Sequence, residues 1–303
     1  MLRRDACAHQ PRSGLALTRI NTVMNRLSTV IALCVVVSAC GGRSGVNEGP
    51  PNLLAAVKQR HTLIVSTDAN YAPQSYLKAD GTWVGFDVDV AREVAKRLQV
   101  SAQFEDSNFD IVTAGTWHGQ WDVNIDSMAV TTERKKSLLF TAPYYFVPAA
   151  FVVRNDSAVL RIGQLGGARI GVGSATTYLA YLKSELPGDI EPILVPPPPR
   201  VRPIPYITDQ LALQDLAIGG KRLDAVLTAM PTALSSIKGG APLRILHQPV
   251  FFEDDAIALD KHAENEPEPL LAAIDESLSE MLRDGTLARL SKKYYGADLT
   301  HKH

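Results

Sequence analysis

Residues 78–98 read KADGTWVGFDVDVAREVAKRL. Ala79-Asp80-Gly81 is a hairpin turn, because Asp-Gly supplies the left-handed backbone that a tight turn between strands demands. After Gly85 the period changes. Val90, Ala91, Val94, Ala95 and Leu98 recur at helical spacing, and Asp87 stands where an N-cap would close the first turn. Working outward, residues 53–57 open a short helix upstream and residues 62–66 form a buried strand. Downstream, a strand at 102–105, a helix near 110–117 and a strand at 122–127 continue the alternation. Strands separated by helices imply a parallel α/β sheet.

Residues 138–145 lead into an apolar strand at 149–154, which reads as a crossing into a second unit. There the alternation restarts, with strands at 168–172, 193–195 and 225–228 among helices at 176–184, 209–219 and 230–237. Pro196 to Pro199, followed by Arg200-Val201-Arg202-Pro203, read as a stiff extended loop. Residues 250–259 are a return strand. The last long helix carries Leu271, Ile274, Leu278 and Met281 on one face and stops at Asp284-Gly285, before a coda at 286–295. Two α/β lobes with the chain crossing twice between them leave a cleft. Ligands of such sheets bind beyond the carboxyl ends of the strands.

At 303 residues the chain has room for about two domains. Its 31 basic and 32 acidic residues balance to −1, without the clustered basic excess of a nucleic-acid binder. Histidines and cysteines show no metal-ligand spacing, so neither a metal nor a cofactor is expected. Gly171-Val172-Gly173 lacks the rest of a dinucleotide fingerprint.

Cys7, Cys34 and Cys40 all fall in the first 40 residues. Arg26 precedes an apolar run over 27–37, too short to span a bilayer but suited to the core of a secretory signal. The run ends in Val37-Ser38-Ala39-Cys40, followed by Gly41 and Gly42, and resembles the bacterial lipobox. That motif implies cleavage before Cys40 and a diacylglycerol on its thiol. Residues 1–39 are then a signal peptide, with Met24 as an alternative start, and residues 40–52 a lipidated cysteine on a flexible tether. The body divides into lobe 1 over 53–148, lobe 2 over 149–249 and a return to lobe 1 over 250–299. The expected location is outside the cytoplasm, in a periplasm or on the outer face of the cell membrane.

Six segments, in order, resemble the polar amino-acid solute-binding proteins of ABC importers, family 3 of the bacterial extracellular solute-binding proteins. They are Ser66-Thr67-Asp68-Ala69-Asn70-Tyr71-Ala72-Pro73, the stretch from Asp80 to Asp89, Ala129-Val130-Thr131-Thr132-Glu133-Arg134, Phe140-Thr141-Ala142-Pro143-Tyr144-Tyr145, Arg222-Leu223-Asp224-Ala225-Val226, and Asp284-Gly285-Thr286 through to Tyr294-Tyr295-Gly296. The resemblance spans residues 54–297. It implies a type II periplasmic-binding-protein fold, two α/β lobes joined by two hinge strands that close like a jaw. It also implies an amino acid or related small carboxylate as ligand, and an ABC permease with its ATPase as partners. The binding protein itself would be a monomer and not an enzyme.

Position by position, the resemblance makes Arg134 the clamp on the ligand α-carboxylate, which its rigid two-pronged donor set suits. Tyr71 and Phe109 match aromatic walls, and Asp68 an acid that reaches ligand side chains. Ser127 matches a residue whose backbone carbonyl accepts from the ligand amine. Thr176 and Thr177 match the second lobe's contribution, at a loop that opens a helix. Two positions depart from the pattern. Ala129 stands where a hydroxyl is common and Ala229 where an aspartate is common, both being groups that hold the α-ammonium. Either Asp126 replaces them or the ligand has no ordinary α-amino group; a frame shifted by one residue would bring in Asp209 or Thr228.

Two rivals remain. A cyclohexadienyl-dehydratase-like enzyme on the same fold needs a carboxylic acid of raised pKa. The loop at 173–178 offers no glutamate, although Asp126 could serve. A ligand-presenting sensor module would use the same two lobes.

Overall fold

A computed structural model describes residues 52–190, 192–246 and 249–302. The leader, Cys40 and all of the tether before Asn52 lie outside the described residues. In chain order the first elements are α1 (Leu53–Arg60), β1 (Thr62–Thr67), β2 (Asn70–Tyr71), β3 (Ser75–Leu77), β4 (Trp83–Val84), α2 (Phe86–Arg97), β5 (Ser101–Asp106), α3 (Phe109–Ala114), β6 (Val123–Ala129), β7 (Leu138–Phe140) and β8 (Tyr145–Arg154). There follow β9 (Arg169–Gly173), α4 (Thr177–Leu182), β10 (Arg202–Tyr206), α5 (Asp209–Ile218), β11 (Ala225–Ala229), α6 (Met230–Lys238), β12 (Leu243–Ile245), β13 (Phe252–Asp260), α7 (Glu268–Arg283) and α8 (Thr286–Tyr295).

The large sheet runs β10-β9-β11-β8-β13-β6-β1-β5, with β12 added on β8 and β7 on β13. Its two flanks are parallel: β1 lies parallel to β5 and β6, and β9 parallel to β10 and β11. Between them run β8 and β13, antiparallel to each other. Each belongs to both flanks. β8 pairs β13 through Tyr145–Pro148 and β11 through Ala149–Val152. β13 pairs β8 through Phe252–Asp255, then turns its later residues to β6 and β7. The chain therefore passes between the flanks on two adjacent strands, the arrangement in which a small twist of each moves one flank against the other.

Local chemistry explains the elements. Asn52, Thr176 and Thr208 cap α1, α4 and α5, each side chain accepting a backbone N–H of the first turn at 2.8, 3.2 and 3.3 Å. On α2 the helical repeat of Val90, Ala91, Val94 and Ala95 is buried, with Leu98 just beyond its end. On α7, Leu270, Ile274, Leu278 and Met281 turn inward; Leu271, expected on that face, is only partly buried. Each large apolar side chain so buried contributes about 1.5–3 kcal/mol. The Phe86 ring packs 4.8–5.8 Å from the rings of Tyr144, Tyr145 and Tyr295, joining α2 to the hinge and to α8.

Two expectations need correction. Asp87 is not the N-cap of α2; Gly85 is, and Asp87 lies buried in the first turn. The strand expected at 193–195 does not form. The flank is closed instead by β10, which runs through Pro203 and Pro205 as an edge strand paired only with β9. A proline forfeits a ladder hydrogen bond, which an edge tolerates.

Candidate ligand-binding site

A cavity opens where the carboxyl ends of strands from both flanks meet. All eight residues singled out from the sequence line it: Asp68, Tyr71, Phe109, Asp126, Ser127, Arg134, Thr176 and Thr177. Ala129 lines it too, as do Tyr178, Ile207, Thr208, Asp209 and Glu253. The first flank supplies Asp68 from just past β1, Tyr71 from β2, Phe109 from the start of α3, and Asp126, Ser127 and Ala129 from β6. The second supplies the β9–α4 loop and the start of α5. Glu253 comes from β13, one of the two strands that pass between the flanks.

Arg134 sits in a short turn after β6 and is buried. Its Nη1 donates to the Ala129 carbonyl at 2.6 Å and its Nη2 to the Ala175 carbonyl at 3.0 Å, so the guanidinium touches both flanks. Its Cζ lies 5.2 Å from the centre of the Phe109 ring. Among the described residues no carboxylate comes within salt-bridge distance of it. Burial pulls its pKa down, and Glu253 and Asp255 oppose that pull.

Beside this one cation, four carboxylates line the cavity. Asp68 takes the Asn70 N–H at 2.6 Å, and burial lifts its pKa to about 6. Asp126 Oδ1 accepts from the Asp68 N–H at 3.1 Å, Ser75 Oγ at 3.3 Å and Thr67 Oγ1 at 3.4 Å. Burial, with Asp68 and Asp87 adding their charge, still drives it well above the usual range. Asp209 Oδ2 accepts from Thr228 Oγ1 at 2.6 Å and the Gly173 backbone also favours its ionised form, yet burial lifts the group to about 7. Glu253 accepts from Thr177 Oγ1 and the Tyr178 hydroxyl, and burial raises it. Like charges gathered in a weakly screening interior oppose one another's ionisation, and Asp68 adds in this way to the effect of burial on Asp126 and Asp209.

Ser127 has φ +50°, in the left-handed region, where β6 and β13 lose regular register between Ala256 and Ala258. A bulge of this kind re-aims backbone groups. The strained residue is held by its Oγ donating to Asp87 at 2.6 Å, while its N–H donates to the Tyr144 hydroxyl at 3.2 Å. The hydroxyl of Tyr144 in turn donates to Asp87 at 2.6 Å. This explains the buried Asp87, whose pKa burial lifts to about 7: it braces the bulge.

Four further bonds pass between the flanks: Ser174 Oγ to Asp110 at 2.7 Å, Asn70 Nδ2 to Thr208 Oγ1 at 3.3 Å, Thr232 Oγ1 to Gln74 at 3.1 Å, and the Thr132 N–H to Asp189. The cleft is closed. Ala229 is buried at the end of β11 and does not line the cavity; the adjacent Thr228 holds Asp209 there. Glu253, Tyr178, Ile207 and Thr208 escaped the sequence reading. For Glu253 a signal existed: Glu253-Asp254-Asp255 interrupts an otherwise apolar return strand.

Residues 63–297 match the model of the bacterial extracellular solute-binding proteins, family 3. The L-cystine-binding protein TcyJ of Escherichia coli K12 is 31% identical over 270 residues, covering 88% of this chain and 94% of its own. Among solved structures, the ancestral amino acid-binding protein AncCDT-1, a precursor of cyclohexadienyl dehydratase, superposes with a TM-score of 0.68 at 27% identity, over 80% of this chain and 99% of that one. An ancestral arginine-binding protein bound to arginine gives 0.67 at 31% identity, over 78% and 99%. The two-flank sheet is the type II periplasmic-binding fold of these neighbours.

Proposed function

The chain belongs to the bacterial extracellular solute-binding proteins, family 3, and from that premise we propose that it captures a free amino acid by both charged ends and delivers it to the permease of an ABC importer. The observation that carries this reading is the charge arrangement of the cleft. One buried guanidinium spends two donors on backbone carbonyls and shares the lining of a cavity with four carboxylates. An isolated buried cation is costly, and a ligand carboxylate placed bidentately on Arg134 would satisfy its remaining donors. The ligand ammonium would in the same way draw the acids into their ionised form. Tyr71 and Phe109 would flank the ligand, the Ser127 carbonyl would accept from its amine, and Thr176 and Thr177 would supply the second lobe's polar contacts.

The lobes, 53–148 with 250–299 and 149–249, would open and shut on β8 and β13. Cys40 would carry a lipid anchor that holds a monomeric, exported body at the membrane, where a separate permease and ATPase take its cargo. TcyJ carries L-cystine in its name and a solved neighbour holds arginine, which favours an amino acid over a simple acid.

One observation keeps a second reading. The dehydratase-like rival needs a carboxylic acid of raised pKa, and Glu253, raised by burial, reaches Thr177 and Tyr178 in the loop at 173–178 from another strand. A thermal-shift screen separates the two. The mature protein, unfolded and refolded to strip bound solute, is tested with the amino acids and cystine, with matched acids lacking the amine, and with prephenate. A ligand at a hundred times its Kd adds about 2.7 kcal/mol. The capture reading expects shifts with an amino acid and none with its amine-free partner; shifts with amine-free acids alone, or turnover of prephenate, would reject it.

A further inference from the structure

The amino-acid reading gives the α-ammonium the Ser127 carbonyl but no side-chain acceptor at the two positions where the family commonly has one. Ala129 has no side-chain oxygen, and Ala229 has none either and stays out of the cavity. Carboxylate and ammonium hang from one carbon, so the acceptor must adjoin the carboxylate clamp. The register of β13 places a candidate there. Asp255 lies directly opposite Ala129, and the Val130 N–H donates to the Asp254 carbonyl at 3.0 Å. Side chains two apart on a strand share a face. Glu253 therefore emerges on the Ala129 side, one step beyond the end of β6, where the chain turns toward Arg134. Ala129 also gives its carbonyl to Arg134 at 2.6 Å. Glu253 lines the cavity and is buried. Its charge, more than that of Asp255, offsets the effect of burial on Arg134.

We infer that Glu253 is the acceptor of the ligand's α-ammonium, a specificity-determining residue that reaches in from the neighbouring strand to replace the polar groups missing at Ala129 and Ala229. A carboxylate offers about four lone-pair sites. Thr177 and Tyr178 take one on each oxygen and fix the group's orientation, leaving the others for the ammonium. Because Glu253 stands on a strand shared by both flanks and is gripped by hydroxyls of the second, an ammonium bound to it ties ligand, hinge and second flank together. Asp68, Asp126 and Asp209 are then left to the ligand's side chain, and three acids suit one bearing a second cationic group. The assignment rests on the amino-acid reading above.

The test is calorimetric titration of wild-type protein and Glu253→Gln with L-lysine, L-arginine and L-cystine. Each is paired with the acid lacking the α-amine: 6-aminohexanoate, 5-guanidinopentanoate and 3,3′-dithiodipropionate. Loss of one charge-assisted bond predicts that E253Q binds the amino acids at least about tenfold more weakly and their partners about as well as wild type. Adding A129S to E253Q should restore part of the loss, which a merely structural role for Glu253 would not allow. Should E253Q not fold, E253D, which keeps the charge but draws it back, carries the same comparison. Equal weakening of both members of a pair, or no weakening, overturns the assignment alone. Wild-type protein that binds none of the three amino acids overturns the amino-acid reading and this assignment with it.

Discussion

Asp209 shows what burial does to an acid in this cleft. Thr228 and the Gly173 backbone both favour its ionised form, yet burial lifts its pKa to about 7; Asp68 rises to about 6 for the same reason. An acid whose pKa is raised by folding binds more protons folded than unfolded. Its contribution therefore favours the empty fold at low pH and is lost as pH climbs toward the raised value. For Asp209 the ionised form is disfavoured by on the order of 4 kcal/mol. The ligand works the other way, since its ammonium needs the acids ionised. Affinity for an amino acid should rise as pH goes from 5 to 8, with protons released on binding. Asp209→Asn should flatten that rise and stabilise the empty protein at pH 8. Calorimetry across that range checks it; a pH-independent affinity unchanged by the substitution would remove Asp209 from the site. Asp68 and Arg134 could be singled out because they sit in short segments with a recognisable order, and Asp126 because it stands beside Ser127 as an acid able to replace the groups missing at Ala129 and Ala229. Glu253 was not, because its role depends on strand register, which one sequence does not print.

At the scale of elements, Gly85 is the junction on which the hairpin and α2 depend. Its φ is +146°, and a Cβ there would meet the Gln74 carbonyl oxygen at 2.0 Å. That carbonyl is committed, accepting the Asp87 N–H at 2.9 Å. Gly81, in the hairpin turn, has φ +82° but nothing within 4 Å of a Cβ. Gly85→Ala should cost about 3 kcal/mol or more, and Gly81→Ala about 1 kcal/mol, as read by denaturant unfolding. Similar costs for the two would mean that the close approach of chain segments does not matter. The helical repeat of α2 was plain in the sequence. Its cap was misassigned because Asp87 has the composition of a cap, while the contact that buries it, with Ser127 and Tyr144, comes from β6 and from the residue just before β8. β10 was hidden by Pro203 and Pro205, which argue against a strand everywhere but at an edge.

For the molecule as a whole, the alternation of strands and helices foretold two parallel α/β units, and the two crossings foretold a cleft. What no local pattern carried is that β8 and β13 pair with each other and so make both crossings one hinge. The bonds from Ser174, Asn70, Thr232 and Arg134 then close the cleft over a cavity whose walls belong to both flanks. In this account the ligand's carboxylate completes the coordination of Arg134 and so makes closure favourable. The most direct test is small-angle X-ray scattering of the stripped protein and of Arg134→Ala, with and without an amino acid that shifts the melting of wild type. The account predicts that the amino acid shrinks the radius of gyration of wild type and leaves R134A open. The same contraction in R134A, or no contraction in saturated wild type, would contradict it.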